Sequence, residues 1–295
     1  MSGAGAAVAG RTVLVTGAST GIGRATALAL AERGARVLLV ARDRARGEDA
    51  LGEVTARAQG GGRGGSAEVL LADLSRQAEV RRLGAEVRSR AERLDVLVNN
   101  AGALFDARRT TADGVEATLA LNHLAYFLLA RELDGVLRAA GAATGDARVV
   151  NVASDAHQAV RALPLDDLQA ERGYSAVRQY SVSKLANVMF TYALARRLAG
   201  AGVTANALHP GVVGSNFASG QGGVFGIFFK VARPFLLSPE KGARTSVFLA
   251  SDPAIRGATG GYYKRERLGR SSPASHDVAA QEALWAESER LVGGA

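Results

Sequence analysis

The sequence predicts an open α/β fold: a single doubly wound parallel sheet of about seven strands, with helices on both faces. Short Val/Leu-rich runs alternate with longer Ala/Arg/Leu segments of helical period, as expected for strands buried on both sides by crossover helices. The first of these runs leads directly into a glycine-rich turn and a helix, the start of a βαβ unit. The 295 residues are 47% hydrophobic and no Pro/Ser linker divides them, so one domain is expected.

Taken in order, the strands are expected at Arg11 to Thr16, Arg36 to Ala41, Glu68 to Leu71, Asp95 to Asn99, Arg148 to Val152 and Thr204 to Leu208, with a last one near Gly261 to Tyr263. The first helix is expected over Arg24 to Arg33, and others fill the remaining gaps. Gly60 to Gly65 reads as a loop, and Ser219 to Gly223 opens an irregular segment before Ser238. Residues 1–10 are Gly/Ala-rich without a basic start, so they are expected to form a flexible leader before a domain over 11–295.

Composition narrows the function. The chain has no cysteine, which rules out a disulfide scaffold, a thiolate metal site and a cysteine nucleophile, and fits a cytoplasmic setting. Its most apolar long stretch, Val224 to Leu237, is broken by Lys230, Arg233 and Pro234, so no stable membrane anchor is expected. A net charge of +8 raises the question of nucleic acid. The arginines, however, stand beside acids along the helices, as Arg81 and Arg82 do near Glu86. The one dense cluster, Lys264 to Arg267, is expected in a loop with no binding framework around it, and nucleic acid is not an expected partner.

Five motifs carry chemistry. Thr16-Gly17-Ala18-Ser19-Thr20-Gly21-Ile22-Gly23 joins a strand to a helix, where backbone N–H groups and the helix dipole favour a pyrophosphate. The second strand ends at Arg42, whose charge and planar fork suit the 2′-phosphate of NADP(H) over NAD(H). The adjacent Asp43 argues the other way unless it caps the next helix. Asp73 is placed either to accept from an adenine amine or to cap a helix, and Asn99-Asn100-Ala101-Gly102 makes a turn at the ligand-collecting edge of the sheet. Tyr180 and Lys184, four residues apart, share a helical face, where a positive charge lowers the pKa of a phenol. His123, His157 and His209 read as packing or loop residues, and Asp166-Asp167 as a helix start.

In this order, together with Asn122, Ser154 and Pro210-Gly211, the motifs resemble the short-chain dehydrogenase/reductase family over nearly the whole chain. The wording of Leu121 to Leu124, Val149 to Ser154 and Ser183 to Asn187 is most similar to its retinol-dehydrogenase-like branch, which includes relatives of protochlorophyllide reductase. The resemblance implies a Rossmann-type fold and catalysis by Asn122, Ser154, Tyr180 and Lys184. Tyr180 would be the proton donor or acceptor. Lys184 would bond the nicotinamide ribose and, together with the charge of the oxidised nicotinamide, lower the tyrosine pKa; Ser154 would bond the substrate oxygen, and Asn122 would hold a relay water. It also implies cofactor contacts from Gly17, Ser19, Thr20, Gly21, Ile22, Gly23, Arg42, Asp73, Leu74, Asn100, Ala101, Gly102, Tyr180, Lys184, Pro210, Gly211, Val213 and Ser215, and no metal.

The expected reaction is hydride transfer between NADP(H) and an apolar aldehyde, ketone or alcohol, beneath a substrate lid at about 215–237 rich in phenylalanine and glycine. The alternatives are reduction of a carbon-carbon double bond and a non-catalytic dinucleotide-binding regulator. The long interval from Ser154 to Tyr180, roughly His157 to Gly173, is expected to cover a helix face used for assembly, which favours a monomer or homodimer.

Overall fold

The computed structural model describes residues 8–211 and 237–293. Strands β1 (Thr12–Thr16), β2 (Arg36–Ala41), β3 (Ser66–Leu71), β4 (Val96–Asn99), β5 (Ala147–Val152), β6 (Val203–His209) and β7 (Tyr262–Lys264) form a parallel sheet in the order β3-β2-β1-β4-β5-β6-β7. The order reverses between β1 and β4, so the carboxyl ends of these two strands open the crevice where ligands of doubly wound sheets bind.

An eighth strand, β8 (Arg267–Leu268), closes an antiparallel hairpin with β7. The cluster Lys264 to Arg267 is therefore a hairpin and not a loop. Arg265 and Glu266 form its turn at φ 49° and 64°, values usually left to glycine or asparagine, so the local sequence carries no hairpin signal. Glu266 pairs with Arg244 at 2.8 Å and Lys264 with Asp155 at 2.6 Å, which occupies part of the basic cluster internally.

Side-chain alternation divides the core between the two faces of the sheet. On β1, Leu14 joins a cluster with Leu97, Leu128 and Met189, while Val13 and Val15 face Leu30, Val54 and Val247. The first face is covered by α3 (Gln77–Arg90), α5 (Ala125–Glu132), α6 (Asp134–Thr144) and α7 (Ala176–Arg197), following the short α4 (Ala117–Leu119). The second is covered by α1 (Gly21–Glu32), α2 (Arg44–Gly60) and α8 (Pro239–Ser251). Among the described residues, no helix is long and apolar enough to cross a membrane.

Packing of the chain begins inside the expected leader: Val8 is fully buried, and Gly10 donates to the Gly34 carbonyl at 2.9 Å. At the other end α9 (Val278–Leu291) lies on α7, with the Trp285 ring 4.9 Å from Phe127 and Arg197 3.9 Å over its face. This helix covers α7 together with the turns that follow Ser154.

Candidate active site

The glycine turn after β1 is a cradle that only glycine can line. Gly17 and Gly21 adopt φ 64° and 57°. A Cβ on Gly23 would lie 2.3 Å from the Gly17 carbonyl oxygen. Thr20 begins α1 with extended backbone, and its side chain makes no cap bond, so it does not compete with an anion for the first N–H groups of the helix. The turn is locked to β4 by Thr16, whose hydroxyl accepts the Asn100 and Ala101 N–H groups at 2.8 and 3.0 Å. Asn100 returns a bond from Nδ2 to the Thr16 carbonyl at 2.8 Å. The sequence reading gave Thr16 no such part.

At the end of β2, Arg42 is exposed, whereas Asp43 caps α2 by accepting the Arg46 N–H at 2.9 Å. That is the plainer of its two readings. Asp73 accepts both the N–H and the hydroxyl of Ser75 on one oxygen, closing a turn before α3, and Leu74 packs into the core. Pro210 and Gly211 follow β6, with Gly211 at φ 89°. Val213, Ser215 and nearly all of the expected lid lie outside the described residues.

Of the four expected catalytic side chains, Ser154, Tyr180 and Lys184 meet at the carboxyl end of β5. Ser154 follows that strand, and its hydroxyl, which accepts the Ala156 N–H at 3.2 Å, stands near enough to the Tyr180 phenol to lower its pKa. Burial pushes the phenol up to about 12, against the opposing influence of the Ser154 hydroxyl. Lys184, 3% exposed, donates to the Val152 carbonyl at 3.0 Å and stands 5.5 Å from the centre of the Tyr180 ring, its own pKa brought down to about 7 by burial. The expected lowering of the tyrosine pKa by Lys184 is therefore not a property of the protein alone, because burial destabilises both charged forms.

Asn122 lies in a π-helical turn, Ala120–Leu124, between α4 and α5. Its side chain accepts the Ala103 N–H at 2.8 Å and donates to the Ala103 carbonyl at 2.9 Å and to Ser183 at 3.0 Å. Its carbonyl accepts the Asn187 amide at 2.8 Å. Ser183 and Asn187 share one face of α7, so Asn122 is clamped at both its side chain and its backbone to the helix that carries Tyr180 and Lys184. Asn122 thus also makes the backbone bonds of an ordinary buried polar residue.

The histidines are structural partners, as their surroundings show. His123 lies between Asn187 at 3.3 Å and Ser288 of α9 at 2.9 Å, and burial holds it uncharged with a pKa of about 4. His209 accepts the Asp155 N–H at 3.2 Å. Asp155 receives the Tyr262 hydroxyl at 2.9 Å as well as Lys264. The sequence reading singled out neither Asp155 nor Tyr262, because the three strand ends that bring them together are far apart in the chain. Asp166 and Asp167 fall in a short 3-10 turn, Leu165–Asp167, consistent with a helix start.

The glycine cradle and the Ser154, Tyr180 and Lys184 cluster define a nicotinamide-dependent oxidoreductase of the short chain dehydrogenase family, to which the chain belongs. The family profile matches residues 11–222. Within the family the chain is retinol-dehydrogenase-like. Human retinol dehydrogenase 14 is 40% identical over 299 residues, covering 96% of this chain and 87% of that protein. DnrU of Streptomyces sp. strain C5, whose assigned name is that of a daunorubicin C-13 ketoreductase, is 44% identical over 285 residues, covering 96% and 93%. A crystal structure of an uncharacterized protein from Mycobacterium paratuberculosis superposes with a TM-score of 0.75 at 33% identity, covering 98% and 96%.

Proposed function

We propose that this chain uses NADP(H) to interconvert an apolar aldehyde or ketone and its alcohol, with Tyr180 as the proton donor in reduction. The observation that carries this reading is the placing of Lys184, buried 5.5 Å from the centre of the Tyr180 ring and bonded to the Val152 carbonyl two residues before Ser154, at the carboxyl edge of the sheet. When bound, the nicotinamide supplies or accepts the hydride. The Gly17 to Gly23 cradle and the N-terminus of α1 would hold the pyrophosphate, and Lys184 the ribose.

Reduction puts negative charge on the substrate oxygen. Two hydroxyl donors fixed at one point stabilise that charge more than they stabilise the neutral carbonyl. Tyr180 gives up its proton as the charge develops, and Ser154 keeps its own. Two observations support NADP(H): Arg42 is exposed at the end of β2, and the neighbouring carboxylate, Asp43, is committed to its helix cap. The retinol dehydrogenase and ketoreductase relatives support an apolar carbonyl or alcohol as substrate.

The test is a screen of apolar aldehydes and ketones with NADPH and NADH, read by nicotinamide absorbance, on the parent and on Tyr180→Phe. Turnover with NADPH is expected, with loss of about 10²- to 10⁴-fold in the variant. A Tyr180→Phe enzyme as fast as the parent would show that the proton comes from elsewhere.

A further inference from the structure

The serine that faces the substrate is held by an imidazole three residues further along the chain. His157 is fully buried and brings two donors to the Ser154 carbonyl: its backbone N–H at 3.1 Å and its Nδ1 at 2.6 Å. On its other side, Nε2 accepts the Ser272 backbone N–H at 2.9 Å. A carbonyl oxygen can only accept and a backbone N–H can only donate, so the two contacts together fix the neutral tautomer with its proton on Nδ1. The ring also packs edge-on against Tyr262, with centroids 4.9 Å apart.

We infer that His157 is a positioning residue for Ser154: in its neutral Nδ1–H form it fixes the serine backbone and ties it to Ser272, 115 residues further along the chain. The inference rests on the reading above, in which Ser154 bonds the substrate oxygen. A proton added at Nε2 would set a donor against the Ser272 N–H and leave both unsatisfied in a buried place. The titratable groups around the ring are Asp155 on its own turn, His209 from β6, and Tyr262 and Lys264 from β7. Burial, the largest influence, lowers the proton affinity of the imidazole and Lys264 adds to that, while the bond to the Ser154 carbonyl and then Asp155 oppose it. The neutral form therefore persists below the usual histidine range; acid that finally charges the ring breaks the tie to Ser272, while Nδ1 still donates to the Ser154 carbonyl.

Two substitutions separate positioning from bulk. His157→Phe keeps a ring against Tyr262 and removes both ring hydrogen bonds, whereas His157→Asn restores a donor near the Ser154 carbonyl. His157→Phe should lower kcat for carbonyl reduction about tenfold or more, with the Kd for NADPH unchanged, and His157→Asn should recover most of the loss above pH 7. An Asn variant as slow as the Phe variant, or a Phe variant as fast as the parent, overturns the inference.

A measurement on the parent protein keeps the test decisive if those variants fold poorly. Nitrogen NMR of the parent needs no turnover: a resonance pattern with the proton on Nδ1, still dominant at the pH where an ordinary histidine is half protonated, is expected. An Nε2–H form overturns the inference whatever the enzyme reduces, whereas a protein with the expected tautomer that reduces no carbonyl counts against the functional reading instead.

Discussion

Lys184 stands 5.5 Å from the centre of the Tyr180 ring, yet its ammonium donates to the Val152 carbonyl at 3.0 Å. The lysine is therefore held by the end of β5, in the same segment that presents Ser154, and helix α7 and that strand end fix the site together. Burial disfavours the charge on both side chains, bringing Lys184 down to about 7 and Tyr180 up to about 12.

That pair of shifts makes stability depend on pH in protein freed of nucleotide. The folded pKa of Lys184 lies below its unfolded value, so its contribution is fully present above the ordinary lysine range and is lost as pH falls towards 7. The folded pKa of Tyr180 lies above its unfolded value, so its contribution holds below the ordinary tyrosine range and is lost as pH rises towards 12. Lys184→Met should raise thermal stability at pH 7, and this advantage should shrink as pH rises to 9.5. A pH-independent difference between the two melting curves would contradict the assignment.

Arg42→Ala should raise the KM for NADPH by about 10- to 100-fold, the equivalent of one charge-assisted contact, and leave that for NADH nearly unchanged. Steady-state kinetics with both cofactors measure it. Equal effects on the two would mean that Arg42 meets no 2′-phosphate.

Gly23→Ala places a methyl where the Gly17 carbonyl oxygen would be 2.3 Å away. The turn has to open, and the Kd for NADPH, measured by fluorescence titration, should rise at least about tenfold. Gly52 serves as the control: it also lies in a helix, has nothing near its missing Cβ, and its replacement by alanine should leave binding unchanged.

Asn187→Leu removes the donor to the Asn122 carbonyl and the partner of His123, all within the buried interior. Each buried polar group left unpaired costs about 1–3 kcal/mol, so denaturant unfolding should show a loss of about 2 kcal/mol or more. Because the π-helical turn loses its backbone anchor to α7, kcat should fall as well. Asn187→Asp, which still presents an oxygen to His123 but no donor to Asn122, should not restore it.

The sequence by itself determined whatever depends on neighbours in the chain. Short apolar runs located all seven parallel strands to within two residues, the glycines marked the cradle, and the i, i+4 spacing put Tyr180 and Lys184 on one helical face. Only the tertiary structure decided what depends on groups far apart in the chain. The Arg265-Glu266 turn adopts positive φ without glycine because strand pairing and the Arg244 contact impose it. The π-helical turn at Asn122 has no local signature, and its clamps come from Ser183 and Asn187, more than sixty residues away. The Thr16 lock on Asn100 and the His157 bond to Ser272 join positions 84 and 115 residues apart. Local periodicity reports which face of an element is apolar, but a buried hydrogen bond between distant segments exists only once packing has excluded water and left each group a single partner.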